Sequence, residues 1–389
     1  MRRVLVTGGA GFIGSHLAER LLERGEHVTV LDDFSTGRRA NLAAVDGHPN
    51  LELIEGSVLD GALVARLVGE VDVVYHLAAA VGVDWVLRHP LRSLETNILG
   101  TENVLRACAA IEGGRRVLIA STSEVYGKND KDALTEDDDR VLGSARLSRW
   151  FYASAKAIDE AFALAYWHEC RLPVTVVRLF NTVGPRQTGR YGMVVPRFVR
   201  WALRGEPLRV FGDGQQTRCF TNVHDVVRAL IALTETPAAA GEIFNIGKPD
   251  EIRIVDLAKR VIELTESASE LKLMPYDAEE AYGERAAGYE DMRRRVPDAS
   301  KLFAFTGFRP AIGLEQTLRE VIDFELSAVS DQPSAEDSAE RAQDGVAERG
   351  AGGAPERAAG GAPERAAGGA AEFGIRSPLS RGGRGGLGG

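Results

Sequence analysis

The chain has 389 residues, enough for one large α/β unit or two domains, with 44% hydrophobic and 26% charged residues. Those proportions are ordinary for a soluble globular protein, and a formal charge of −9 argues against nucleic acid or an anionic membrane as the partner. An anionic small substrate stays open, because a local arginine cluster can outweigh the net sign.

In chain order, short β-branched runs alternate with longer helical patterns. Strands are expected at Val4–Thr7, His27–Asp32, Leu51–Glu55, Val71–Leu77, Val117–Ser121 and Val174–Leu179. Helices are expected between them at Ser15–Arg24, Leu63–Val68, Leu94–Cys108 and Tyr152–Glu169. That alternation predicts a parallel sheet with helices on both faces, in an α/β doubly wound arrangement spanning residues 1–180. Beyond Asn181 the pattern loosens. Helical pieces at Val195–Leu203, Asp225–Leu233, Ile254–Leu264 and Leu314–Leu326, with strand-like runs at Leu208–Phe211 and Glu242–Ile246, predict a smaller substrate-binding domain over 181–327. The second of those runs is a candidate to rejoin the main sheet. Residues 328–389 repeat an Ala/Gly-rich unit introduced by Glu-Arg pairs and end in SRGGRGGLGG. Such a composition cannot bury enough apolar surface to offset its chain entropy, so a disordered tail is expected.

Cys108, Cys170 and Cys219 are widely spaced and form no metal-ligand pattern. Mostly buried thiols in a reducing compartment are expected, with no metal site. The N-terminal apolar run is too short for a signal peptide, and no stretch approaches the roughly 18 apolar residues that cross a bilayer. A cytoplasmic chain with no membrane partner follows as the expectation.

The first expected strand runs directly into Thr7-Gly8-Gly9-Ala10-Gly11-Phe12-Ile13-Gly14 and then into a helix. Gly8 permits the tight turn, Gly11 lets the backbone approach a pyrophosphate, and Gly14 allows close packing of helix on strand. The helix N-terminus, opening at Phe12 and Ile13, offers N–H groups and a positive dipole end to phosphates. The second strand ends in Asp32-Asp33, eighteen residues after Gly14. A carboxylate there accepts from ribose hydroxyls and repels a 2′-phosphate, which favours NAD over NADP, with Arg38 and Arg39 nearby.

The fifth strand leads into Ser121-Thr122-Ser123-Glu124-Val125-Tyr126-Gly127, and Tyr152-Ala153-Ser154-Ala155-Lys156 follows on a helix. Tyr152 and Lys156, at i and i+4, share one helical face. An adjacent ammonium lowers a phenol pKa, so Tyr152 is expected to act as a base towards a sugar hydroxyl, with Thr122 hydrogen-bonding the same oxygen.

These motifs, TGGAGFIGSHL, HLAA at 76–79, STSEVYG, YASAK and RLFNTVGPRQ, resemble the extended short-chain dehydrogenase/reductase family of nucleotide-sugar epimerases, dehydratases and decarboxylases. The likeness runs from about Arg2 to about Glu325 and implies a Rossmann-type sheet. It also implies that NAD takes a hydride from sugar C4, that Tyr152 is the base, and that Lys156 additionally holds the nicotinamide ribose. His76, Leu77, Ala78 and Ala79 would line the cofactor, and Asn97 would fall on the helix beside the site. Ser57 departs from the pattern, standing where many relatives carry an acid that meets the adenine.

Once C4 is a ketone, epimerisation, loss of water across C5–C6, or loss of CO₂ from a C6 carboxylate are all open. Ser123-Glu124 resembles the UDP-glucuronate decarboxylases, since a 4-epimerase needs no acid/base group beyond the tyrosine. Arg140–Lys156, RVLGSARLSRWFYASAK, is similar to the decarboxylase domain of the lipid A aminoarabinose pathway and to plant apiose/xylose synthases. So is the stretch from Tyr282 to Asp298, and the likeness implies that Arg295 faces a uronate carboxylate, for which a guanidinium fork is suited. By the same resemblance Arg218 contacts a nucleotide diphosphate and Asn181 the sugar-phosphate region, with Arg186 as a further substrate contact. His224 is expected to be structural. The leading expectation is therefore conversion of UDP-glucuronate to UDP-xylose through a 4-keto sugar with recycled NAD, by a homodimer that pairs the helices Leu94–Cys108 and Tyr152–Glu169. A nucleotide-sugar 4-epimerase and a 4,6-dehydratase are the alternatives. A non-catalytic NAD-binding sensor is the remote one, since the glycines and the Tyr/Lys pair are intact.

Overall fold

Runs such as Arg3–Thr7 (RVLVT) and Val174–Leu179 (VTVVRL) carry apolar residues on both faces, as a strand covered from both sides requires. The computed structural model describes residues 1–80, 82, 88–189, 193–275 and 292–330. Seven such strands form one parallel sheet: β1 (Arg3–Thr7), β2 (His27–Asp32), β3 (Leu51–Glu55), β4 (Val73–His76), β5 (Arg116–Thr122), β6 (Val174–Leu179) and β11 (Ile243–Ile246). Their order is β3-β2-β1-β4-β5-β6-β11. The doubly wound α/β fold expected from the alternation is the fold observed.

Helices cover the two faces with separate cores. On one face α1 (Phe12–Glu23) and α6 (Val223–Glu235) bring Leu17, Leu21, Val226 and Leu230 against Val4, Val28 and Phe244, joined by Leu302 of α8 (Ser300–Thr306). On the other, α2 (Gly61–Gly69), α3 (Pro90–Ala109) and α4 (Phe151–Cys170) bring Val64, Leu105 and Ala163 against Leu5, Val74 and Ile119. All of these are fully buried, which places the main hydrophobic stabilisation on the sheet that carries the cleft.

A third core lies away from the sheet. It joins α5 (Val194–Leu203), β8 (Leu208–Phe211), α7 (Ile254–Leu264) and α9 (Leu314–Ser330) through Phe198, Val210, Leu257 and Leu318. Three short pairings brace it: β7 (Thr182–Val183) with β10 (Thr221–Asn222), β9 (Thr217–Cys219) antiparallel to β12 (Glu251–Arg253), and β13 (Leu271–Met274) beside β8. Residues Met1–Asp331 form one unit, and β11 returns to the main sheet from the segment expected to be the smaller domain. The strands β7, β9, β10, β12 and β13 were absent from the sequence expectations. Two to four residues give too short a run for alternation to register. The Ala/Gly-rich tail from residue 331 onward lies outside the described residues, as does most of the Tyr282–Asp298 stretch up to residue 291.

No helix among the described residues is long and apolar enough to cross a membrane. Cys108 and Cys219 are buried free thiols and Cys170 is an exposed one.

Candidate active site

The order of the sheet reverses direction at β1, between β2 and β4, and in such sheets ligands bind beyond the carboxyl ends at that switch. A cleft of about 480 Å³ opens there. Gly8, Gly11, Phe12, Ile13, Gly14, Asp32, Asp33, Leu77, Ala78, Ala79, Thr122, Ser123, Glu124, Tyr152, Lys156, Asn181, Arg218 and Arg295 all line it.

At the β1–α1 turn the glycines are required sterically. Gly8 has φ +71, and a Cβ on it would lie 2.7 Å from the Ala78 nitrogen. A Cβ on Gly14 would lie 2.2 Å from the Gly8 carbonyl oxygen, so the helix could not sit this close to the turn. Gly11 is the N-cap of α1 with no side chain capping it, which leaves that end to a ligand anion. Asp32 is nearly buried. One of its oxygens accepts from the Ala10 N–H at 2.9 Å and the other from the Phe34 N–H at 2.8 Å. Burial, against those two bonds, raises its pKa, and the neighbouring Asp33 charge adds to the rise. Asp32 therefore ties the glycine turn to β2 as well as facing the cleft, while Asp33 is exposed and accepts from Ser35. Arg39 is engaged by Glu55 at 2.5 Å and by the Phe34 ring at 4.4 Å, not turned to the cleft as a 2′-phosphate partner. A backbone cradle that a Cβ would fill, an uncapped helix end and two acids at the end of β2 fit a dinucleotide with free ribose hydroxyls, namely NAD.

His76 does not line the cleft, contrary to the expectation for HLAA. It is buried between the Thr7 and Thr101 hydroxyls at 2.8 and 3.1 Å, and burial lowers its pKa to about 3. Asn97 is wholly buried and clamps the backbone after β4, accepting from the Ala80 N–H at 3.0 Å and donating to the Ala80 oxygen at 3.2 Å.

Tyr152 and Lys156 reach the cleft from the first turns of α4. The pKa expectation for the pair is corrected here. Lys156 is buried and donates to the equally buried Asp159 at 3.0 Å, so its charge is matched by a carboxylate. Burial pushes the Tyr152 phenol above its ordinary value, and the charges of Glu124 and Asp159 push it further. These surroundings favour the protonated phenol.

The opposite wall is an arginine cluster. Arg149 donates to Glu124 at 2.6 Å, and Arg295 Nη1 stands 4.0 Å from the other Glu124 oxygen. Both guanidiniums are buried, at 5% and 6% exposure, so the solvent screens them little. Burial by itself would raise the Glu124 carboxyl, but Arg149, Arg295 and Arg218 outweigh it and hold the pKa below the usual range. Among the described residues, three guanidiniums thus gather around this one carboxylate. Arg149 was not singled out in the sequence, although it stands three residues before Tyr152 in the quoted RWFY. Nor was Asp159, whose i+3 spacing from Lys156 was the available signal.

Beyond the cluster, Asn181 donates to the Cys219 carbonyl at 2.9 Å and Arg218 to the Thr217 carbonyl at 2.7 Å. Phe198, Trp201, Arg209, Phe211 and Gln216 extend the cleft there, and nothing in their spacing marked them beforehand. Arg186 is corrected: it is not part of the cleft wall. Its guanidinium holds Glu19 at 2.6 Å and Ser15 at 3.3 Å on α1, so it braces that helix. His224 is exposed, and its ring stands edge-on to that of His16 at 5.2 Å.

The NAD dependent epimerase/dehydratase family matches residues 4–247. The chain belongs to that family. Among curated relatives, a UDP-N-acetyl-alpha-D-glucosaminuronate decarboxylase of Bacillus cytotoxicus is 44% identical over 324 residues, covering 83% of this chain and 97% of that protein. UDP-glucuronic acid decarboxylase 1 of Xenopus tropicalis is 36% identical over 325 residues, covering 83% of this chain and 72% of its own. Among solved structures, the UDP-glucuronic acid 4-epimerase of Bacillus cereus in complex with UDP-glucuronic acid and NAD superimposes with a TM-score of 0.74 at 28% identity, covering 84% of this chain and 99% of that one. This epimerase/dehydratase chain is therefore similar in sequence to decarboxylases and in architecture to epimerases alike. The fold does not separate the two activities.

Proposed function

We propose that the chain is an NAD-dependent decarboxylase of a UDP-hexuronate, converting UDP-glucuronate to UDP-xylose through a 4-keto sugar. The observation that carries the proposal is the convergence of Arg149, Arg218 and Arg295 on Glu124 in the same cleft as Tyr152. A neutral sugar has no use for three buried cations, whereas a C6 carboxylate and a diphosphate do.

NAD, when bound, accepts the hydride from C4 and returns it at the end of the cycle, and its positively charged ring lowers the cost of ionising the phenol. Gly8, Gly11 and Gly14 admit its pyrophosphate to the α1 N-terminus, with Phe12, Ile13, Leu77, Ala78 and Ala79 as walls and Asp32 and Asp33 at its adenosine ribose. Tyr152 takes the proton of the C4 hydroxyl, and Lys156 orients the tyrosine and the second ribose. The 4-keto uronate is a β-keto acid, so the C5–C6 bond breaks with its electron pair passing to C5 and the C4 oxygen. Thr122, Ser123 and Tyr152 hold that enolate oxygen. Arg295 orients the departing carboxylate, and a water positioned by the ionised Glu124 passes a solvent proton to C5 in place of the lost CO₂. Asn181 and Arg218 hold the sugar-diphosphate end. Net redox is zero.

The 44% identity to a decarboxylase of the 2-acetamido uronate, against 36% for those of glucuronate, favours a second substrate that differs only at C2. Incubating the protein with NAD and either UDP-glucuronate or its 2-acetamido analogue, and weighing the products by mass spectrometry, tests both. Loss of CO₂ is expected. A product of unchanged mass would establish a 4-epimerase, and loss of water a 4,6-dehydratase.

We further propose a cytoplasmic homodimer. Leu99 on α3 is 52% exposed and Ile158 on α4 is 42% exposed, and Ala161 and Ala165 continue that open face. A second copy of the two packed helices would cover it.

A further inference from the structure

Glu124 and Arg295 stand 4.0 Å apart on the arginine wall, yet they arrive on separate stretches of chain that share no secondary-structure element. One stretch runs from Glu124 through Tyr126 to Leu134, and the other from Arg295 through Val296 to Asp298. They touch at one parallel bridge between Leu134 and Pro297. There the Leu134 N–H donates to the Val296 oxygen and the Asp298 N–H to the Leu134 oxygen, each at 2.8 Å.

A single side chain on a third element closes this junction. Asn245 of β11 is fully buried. Its Oδ1 accepts from the Tyr126 hydroxyl at 2.7 Å. Its Nδ2 donates to the Leu134 oxygen at 2.8 Å and to the Asp298 oxygen at 3.2 Å. Both polar ends of the amide are thus employed, one on the Glu124 stretch and one on both stretches together. The Asn245 backbone N–H also donates to Glu136 Oε1 at 2.7 Å, on the same loop as Leu134. β11 is itself paired to β6 from Ile243 to Ile246, so the amide is anchored to the sheet. At the end of that strand the chain lies against the Arg295 stretch, where a Cβ on Gly247 would meet the Pro297 ring at 2.6 Å.

We propose that Asn245 is a positioning residue that holds Arg295 in register with Glu124 on the arginine wall, and so governs whether the 4-keto sugar loses CO₂ or is reduced back unchanged. The consequence for partitioning rests on the decarboxylase function proposed above, whereas the registration itself does not. Asn245 touches no substrate. Its amide contacts both stretches and is anchored to the sheet, so a fault there displaces Arg295 relative to Glu124.

Asn245→Asp keeps the acceptor for Tyr126 and sets an oxygen against two carbonyl oxygens. Tyr126→Phe removes one hydrogen bond and is the milder variant. With the full chain, NAD and the uronate, single-turnover traces follow reduced cofactor by its absorbance and CO₂ by trapping. In Asn245→Asp, C4 oxidation is expected to continue while CO₂ release slows about 10- to 100-fold, the effect of an ångström-scale misplacement. Tyr126→Phe should shift the same ratio several-fold. Crystal structures of the variants supply the readout that needs no turnover, with the Arg295–Glu124 separation expected to depart from 4.0 Å. Oxidation and decarboxylation slowed equally, or an unmoved Arg295, overturn the proposal. Should Asn245→Asp fail to fold, the Tyr126→Phe ratio and structure decide alone. A wild type that releases no CO₂ defeats the decarboxylase function instead, and an unmoved Arg295 in the variants defeats the registration.

Discussion

The two walls of the cleft are built in opposite ways. The wall that receives the cofactor comes from contiguous motifs: the β1–α1 turn, the acids at the end of β2, and the Tyr152–Lys156 turn of α4. Each carries most of its geometry within one stretch, as when Gly14 packs on the Gly8 carbonyl, with Ala78 and Asp32 bracing the turn from other strands. The arginine wall draws on four distant stretches, carrying Glu124, Arg149, Arg218 and Arg295, and its character is a sum of charges that no stretch holds by itself. The first wall supplies an oxidant and a base, which any outcome at C4 needs. In the function proposed here, the second meets the substituent on the sugar and bears on which bond breaks. An enzyme of this kind changes reaction by altering the composite wall and keeping the contiguous one.

The largest expected effect lies on the contiguous wall. Tyr152→Phe removes the phenol oxygen and keeps the ring, so turnover should fall about 10³-fold with cofactor affinity nearly unchanged. Steady-state kinetics beside a cofactor fluorescence titration would check this, and turnover surviving the change would mean that another group takes the C4 proton. On the composite wall, Arg149→Gln leaves the Glu124 carboxylate with less compensation. Breaking a buried pair of this kind costs roughly 3 kcal/mol, so a lowered melting temperature is expected. Glu124 is held below the ordinary carboxylate range by its arginines, so loss of one raises it. The acid limb of the rate profile should move to higher pH, and an unmoved limb would show that the Glu124 charge is not required.

The smallest effect concerns the scaffold behind the glycine turn. His16 is buried on α1 and its pKa is lowered from 6.5 to about 4, chiefly by burial, with the Arg186 and His224 charges adding to the drop against a bond to the Phe12 carbonyl. A base whose folded pKa is depressed binds its proton less readily than the unfolded chain does. Its contribution is therefore intact above pH 6.5 and is lost as the pH falls towards 4, by roughly 3 kcal/mol at most. Melting temperatures taken across that window should show a slope that His16→Gln flattens. An equal slope in the variant would assign the acid sensitivity elsewhere, His76 being the next candidate.

Much of the contiguous wall was legible in the sequence because its determinants are local. A strand read from alternating apolar residues, glycines at 8, 11 and 14, acids at 32 and 33, and a Tyr/Lys pair one turn apart each carry their geometry within a short window. Two residues escaped for physical reasons. Arg186 matched a motif, but with φ at +69 its side chain turns to Glu19 on α1. Lys156 was expected to lower the phenol pKa, but burial raises it, and the charges of Glu124 and of Asp159, one turn beyond the lysine, add to the rise.

By itself the sequence determined the doubly wound sheet and the dinucleotide turn, because local backbone sterics and hydrophobic patterning decide these. The tertiary structure alone decided the sign of the charge at the sugar end and the register of Arg295 on Glu124. Electrostatic potential and hydrogen-bond register depend on distances between stretches up to 171 residues apart, and those distances exist only once the third core and β11 have closed on the sheet.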